Sequence, residues 1–257
     1  MRRFLAILAL TVLALPGCIS GDFGGDAVHS TMHERFALAP HAHVRVSNVS
    51  GPIVIVPWNR HEIDIVARKH AGNVTALRRT TINVTRDTIP ATDVEISTHY
   101  QHDGFFFWGE SGAGVDYTIH VPRDISLQLA NVSGDVSVSG MQGAVEINEV
   151  SGEVTASGVG GDLSVNAVSG DVNASMLHMT GNDRAEIQTV SGSVTLAVPP
   201  SSNASVSAQS ISGGFHSDFP IPSHRQTVGV SADGRIGNGS ATISLKTISG
   251  DMHLTRR

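Results

Sequence analysis

The chain has 257 residues, of which 40% are apolar, 16% charged and 5% aromatic, with 27 glycines. Its 17 basic residues against 23 acidic ones leave a formal charge of −6. A nucleic-acid role is excluded on that balance, because phosphate contacts need a basic patch and the sequence holds none.

Arg2 and Arg3 precede an apolar run, Phe4 to Leu15, interrupted only by Thr11. The run is short for a bilayer span and polar sequence follows it, which predicts a signal peptide over residues 1–17. Leu15-Pro16-Gly17-Cys18 resembles a bacterial lipobox, in which the cysteine becomes the lipidated first residue of the mature chain. Cys18 is the only cysteine, so no intrachain disulfide competes for its thiol. Acylation there would anchor the protein to a membrane, with residues 18–30 as the lipidated cysteine and a flexible tether. The expected location is the bacterial cell envelope, at the outer membrane or its periplasmic face rather than as a freely secreted protein.

The remainder, residues 31–257, reads as a single all-β domain. Its first part, residues 31–122, is irregular. Val44 to Val56, Ile63 to Ala67, Thr81 to Thr85, Val94 to Thr98 and Val115 to Val121 alternate as strands do, and Ala76 to Arg79 permits one helical turn. This region is expected to form a β cap that covers an open end of the repeats. Phe105-Phe106-Phe107-Trp108, bracketed by Gly104 and Gly109, falls between two of these strands. It is either a plug folded onto the end of the core or an exposed tip for a protein partner, a glycan or the membrane surface.

Residues 123–257 carry a repeat. Gly134, Gly143, Gly152, Gly161 and Gly170 are spaced by nine residues. Two residues after each stands Val136, Val145, Val154, Leu163 or Val172, and four after stands Val138, Ile147, Ala156, Val165 or Ala174. Apolar residues at the second and fourth places alternate with polar ones, so each unit holds a short strand with one buried face. At the seventh place Met141, Val150, Val159, Val168 and Leu177 are expected to point inward at the corner. The tripeptide Val-Ser-Gly begins at Val132, Val150 and Val168, eighteen residues apart, and again at Val190; Ile-Ser-Gly begins at Ile211 and Ile248. Two nine-residue units per coil follow, giving a β-solenoid or β-roll-like stack that climbs ~4.8 Å per coil. After Gly170 the spacing widens, which predicts corner loops at His178 to Arg184, at Pro199-Pro200 and around Pro220 to Pro222. The last segment, Lys246 to Leu254, is expected to close the other end.

An early Asn48-Val-Ser-Gly, the strand Tyr117-Thr-Ile-His-Val-Pro122, the Val-Ser-Gly-Asp ladder and the terminal Thr247-Ile-Ser-Gly-Asp together resemble the bacterial putative-adhesin family of β-strand repeat proteins over roughly residues 30–257. The resemblance implies a solenoid-like fold at the cell envelope and carries no catalytic residues with it. The aromatic insert near residue 105 departs from the family pattern.

Three sets of residues invite chemistry. Ser133, Ser151, Ser169 and Ser191 recur at one corner, where hydroxyls bond turn backbone, and no histidine is spaced to activate them. Ser111 misses a nucleophile elbow at its last glycine. Asp135, Glu153 and Asp171 should stack one coil apart, and paired carboxylates on a β-helix can hydrolyse a glycoside. Like charges ~4.8 Å apart repel by only about 1 kcal/mol in water, so exposed turn acids also stand without a metal. Among 13 histidines, His41 with His43, His99 with His102 and His29 with His33 are the close pairs, but no further ligand completes a metal set, and no cofactor is expected. The function expected is a non-catalytic, envelope-anchored scaffold or adhesion surface. The alternatives are a polysaccharide-active β-helix enzyme and an envelope-stress sensor or regulatory partner.

Overall fold

The computed structural model describes residues 27–101, 113–225 and 227–257. The chain enters as β1 (Val28–Ser50), β2 (Ile53–Trp58) and β3 (Glu62–Ala71), then a helical turn, α1 (Val74–Arg79). Next come β4 (Thr80–Arg86), β5 (Ala91–Tyr100) and β6 (Gly114–Pro122). Pairs of strands follow at short intervals: β7 (Ser126–Ser133) and β8 (Val136–Ser139), β9 (Val145–Ser151) and β10 (Val154–Val159), β11 (Leu163–Ser169) and β12 (Val172–Met176), β13 (Arg184–Ser191) and β14 (Val194–Val198). The chain ends with β15 (Ala204–Ser212), β16 (Phe215–Ser217), β17 (Ser223–Arg225), β18 (Val230–Ile236), β19 (Ala241–Ser249) and β20 (Met252–Arg256). The protein is therefore all-β, with a long mixed sheet wound into a nearly closed, solenoid-like arrangement.

Two ladders face each other across the core. One runs β5, β1, β7, β9, β11, β13, β19, β15 in parallel register, with β4 added antiparallel outside β5 and β18 antiparallel outside β15. The opposite ladder runs β6, β2, β8, β10, β12, β14, β20, β16, with β3 antiparallel to β6 and the first part of β1 antiparallel to β3. Strand β1 serves both ladders because it bends at Pro40-His41, where His41 takes a φ of 56° and the register shifts. Pro40 has no N–H to lose at that bend.

Alternation puts Leu127, Leu129, Val145, Ile147, Leu163 and Val165 of one ladder against Val136, Val138, Val154, Ala156, Val172 and Ala174 of the other, all buried. Each Val, Leu or Ile so buried contributes about 1.5–3 kcal/mol of hydrophobic stabilisation, which isolated four- to eight-residue strands would lack.

Two expectations are corrected. The final segment does not close an end. β19 pairs with β13 on one side and β15 on the other, and β20 lies between β14 and β16. The chain skips a rung after β14: the Pro199–Asn203 turn carries it past the vacant place, and Asn203 later accepts the Ala241 N–H at 2.8 Å when β19 fills it. Nor do the residues at the seventh place behave alike. Met141 and Val159 are buried, whereas Val150, Val168 and Leu177 are exposed. Successive nine-residue units turn opposite corners of the coil, and the two corners bury different residues. Leu177 belongs to the inward class, but the register of β12 shifts by one residue after Ala174, so Met176 pairs with Val159 and takes the inward place while Leu177 turns out.

Candidate functional site

The Val-Ser-Gly edge is the most regular surface of the molecule. Its glycines stack in the order Gly51, Gly134, Gly152, Gly170, Gly192, Gly250, Gly213, each at a positive φ between 112° and 159°. A Cβ on Gly134, Gly152, Gly170, Gly192, Gly250 or Gly213 would stand 1.9–2.6 Å from a backbone carbonyl of the neighbouring glycine. Glycine is required there both for its conformation and for the close approach. Backbone pairing continues round the turn. Gly134, Gly152 and Gly170 donate their N–H to Ser151, Ser169 and Ser191, and Val136, Val154 and Val172 donate to Glu153, Asp171 and Ser193.

The acids of this edge are occupied structurally. Asp135 accepts the Glu153 N–H at 3.0 Å, Asp171 the Ser193 N–H at 2.8 Å and Asp251 the Gly214 N–H at 2.7 Å, so each carboxylate staples its coil to the next. Glu153 accepts from Asn173 Nδ2 at 2.9 Å. Asp135, Glu153 and Asp171 line neither of the two surface hollows described below, and no hydrogen bond joins the ladder serines to a histidine among the described residues. That placement gives an enzyme reading of this edge no converging acids to work with.

Below the edge runs a buried polar row: Asn48, Asn131, Glu149, Thr189, Thr247 and Ser210, with Ala167 in the middle. Asn48 Nδ2 reaches the carbonyls of Ser50, Gly51 and Val115 at 2.9–3.2 Å, and Asn131 Nδ2 that of Gly134 at 2.7 Å. These bonds tie the turn from within. Glu149 accepts the Ser151 N–H at 3.1 Å, but burial outweighs this and raises its pKa above the ordinary value. The row is invisible in linear sequence, since its members become neighbours only once the order of the coils is known.

Above the edge the opposite chemistry appears. The aliphatic residue of each tripeptide points outward, and Val49, Val132, Val150, Val168, Val190, Ile248 and Ile211 form one column, 43–55% exposed. One exposed aliphatic per coil at ~4.8 Å makes a ridge roughly 29 Å long. Ordinary burial economics would not place seven of them in line.

Two hollows mark the outer face beside the ridge. One, of about 600 Å³, lies where β18 rises alongside β15; Val190, Ile248, Ile211, Val228 and Val230 wall it, and Gln188, Lys246 and Gln209 are among its other lining residues. The other, of about 440 Å³, has the charged residues Arg45, Glu146, Asp162, Arg184 and Glu186 around it, with Leu127 and Leu163 among its other lining residues.

The remaining candidates separate. His41 and His43 are both exposed, and His41 Nδ1 lies 3.2 Å from the Asp124 carbonyl oxygen. His33 is held 2.5 Å from the buried Asp64, which Arg35 also engages at 2.8 Å. The Arg35 hydrogen bond and, to a lesser degree, His33 draw the Asp64 pKa down. His99 bonds Ser97 at 3.1 Å. No group of three His, Cys, Asp or Glu side chains placed for a metal occurs among the described residues. Cys18, Phe105, Phe106, Phe107 and Trp108, with His102 and Ser111, lie outside the described residues.

Over residues 42–255 the sequence matches the family described as Toastrack DUF4097. The chain belongs to that family. No curated protein matches it. Among solved structures this Toastrack chain is similar to a putative cell adhesion protein from Clostridium sporogenes, 11% identical with a TM-score of 0.52, over 89% of this chain and 100% of that one. A putative adhesin from Bacteroides fragilis is 9% identical over 89% and 97% of the two chains, with a TM-score of 0.33. A putative lipid binding protein from Parabacteroides distasonis is 9% identical over 88% and 96%, with a TM-score of 0.28. At this identity the Clostridium structure shares the Toastrack fold and nothing further is drawn from it, and the other two superpose too loosely to argue from. No helix among the described residues is long and apolar enough to cross a membrane.

Proposed function

We propose that this Toastrack protein is an exported, lipid-anchored, non-catalytic scaffold that binds a partner protein at the cell envelope along its aliphatic ridge. The ridge itself carries the reading. Seven exposed Val and Ile side chains in register gain nothing for the folded monomer, and burying them against a partner would stabilise a complex. The acids Asp135, Glu153, Asp171 and Asp251 stand across the serine and glycine columns from them, so the complementary partner carries an apolar strip flanked by basic residues. Residues 31–257 act as one solenoid unit with residues 31–122 capping one end, and Cys18 holds that unit to the membrane after residues 1–17 are removed. The Phe105–Trp108 segment supplies a second contact, since β5 and β6, which flank it, end and begin at the ridge side of the stack.

Capture from envelope extracts tests the ridge. The wild type is expected to retain a specific partner that the Val150→Asp, Val168→Asp double variant loses, with both proteins equally stable. Equal recovery by both would overturn the ridge as the binding surface. Palmitate labelling is expected for the wild type and not for Cys18→Ala, and an unlabelled wild type would remove the anchor.

A further inference from the structure

The hollow of about 600 Å³ has a chemistry that the ridge lacks. Strands β13, β19 and β15 lie side by side, and their outward residues make two parallel rows: Gln188, Lys246 and Gln209 in register, and Val190, Ile248 and Ile211 beside them. Strand β18 and the residues before it raise a second apolar wall, Val228 and Val230, with Val228 68% exposed. Val230 pairs with Ser210 on the outer side of β15, so this wall closes the end of both rows, and two carboxamides and one ammonium lie along one flank of an aliphatic hollow. Lys246 is exposed and forms no ion pair among the described residues, and it is one of only two lysines in a chain of net charge −6.

We infer that this groove binds a single-chain amphiphile with an anionic head, the acyl chain between the Val and Ile walls and the head on Lys246. Each part of the site selects one part of that ligand. The walls are aliphatic and hold no aromatic ring, so they offer methylene-on-methylene packing rather than the ring stacking that suits a sugar. The volume falls within the range of small-molecule sites. Anions are repelled by the molecule as a whole, so a head group is retained only where the local cation sits; Gln209 can donate an amide N–H bond to it one rung away, and Gln188, which gives one amide hydrogen to Glu186 at 2.8 Å, has its second to offer. The groove shares Val190, Ile248 and Ile211 with the ridge but uses neither the acidic staples nor Cys18, so the two readings separate at Lys246 and Val228 on one side and at Val150 and Val168 on the other.

Calorimetric titration of the full-length chain carrying Cys18→Ala, which removes the candidate acylation site, tests it with probes below their micellar concentrations. Dodecanoate and dodecyl phosphate are expected to bind, dodecanol about ten-fold more weakly and dodecyltrimethylammonium not at all; the two anionic probes separate a carboxylate from a phosphate preference. Lys246→Gln is expected to weaken dodecanoate about ten-fold and leave dodecanol unchanged, whereas Val228→Asp weakens both while the melting temperature stays that of the parent. No dodecanoate binding, or equal affinity in the Lys246→Gln protein, would overturn the proposal. Val150→Asp, Val168→Asp serves as the separating control: it should keep dodecanoate binding whatever becomes of the protein partner.

Discussion

A methyl group added at Gly170 would stand 1.9 Å from the carbonyl oxygen of Gly152, on a residue whose φ is +133°. Neither the clash nor the strain can be relieved locally, because the neighbour is backbone fixed by its own ladder. Gly170→Ala is therefore expected to destabilise by at least about 1–3 kcal/mol, read from the urea midpoint. Glu149 makes a contrasting case. Burial lifts its folded pKa above the ordinary 4.5, so the folded state holds the proton more tightly than the unfolded chain does. Its contribution to stability is fully present below the unfolded pKa and is lost as pH rises through the folded one. Urea midpoints measured from pH 4 upward should show the wild type losing stability relative to Glu149→Gln, and parallel curves would refute the assignment. The positions of the glycines were legible from their spacing alone. The buried Asn48, Asn131 and Glu149 row was not, since nothing in a local window distinguishes an inward Asn from one in a turn.

At the level of strands, the second and fourth places of each unit predicted the buried face correctly, because alternation is a property of the single strand. The seventh place misled at Val150 and Val168, because a period of nine treats the two corners of a coil as equivalent when only one of them turns its aliphatic inward. That error concealed the ridge, which is the feature best suited to binding. Coil order failed for a different reason. β13 and β19 share the same Ser-Gly corner as β13 and β15 would, so local pattern cannot say which neighbour wins, and only the skipped rung at Pro199–Asn203 decides it. Deleting residues 241–257 should consequently do more than trim an end. It removes the strands that join β15 to β13 and β16 to β14, and we expect the segment beyond β14 to drop out of the cooperative melting transition, seen as rapid proteolysis between residues 199 and 240. Intact cooperative melting would contradict the pairing.

Taken whole, the molecule's all-β class was readable from composition, glycine spacing and the repeated tripeptide, and its motifs carried the resemblance to the adhesin family, whereas its hollow beside β18 was not readable. Lys246 looked like any exposed lysine in the linear chain. Its setting depends on β18, which folds back antiparallel on β15 and lifts Val228 and Val230 beside a row assembled from three non-consecutive strands. The intercalated coil also orders events in time. Synthesis delivers β15 and β16 before β19 and β20, and until β19 arrives β15 can pair with β18 but not with the rest of the stack. Growth of the stack beyond β14 therefore cannot keep pace with the emerging polypeptide, and the last two coils form together once β20 is free. Until then the outer edge of β13 and β14 is an unpaired sheet edge, open to any other strand that can present its backbone in register.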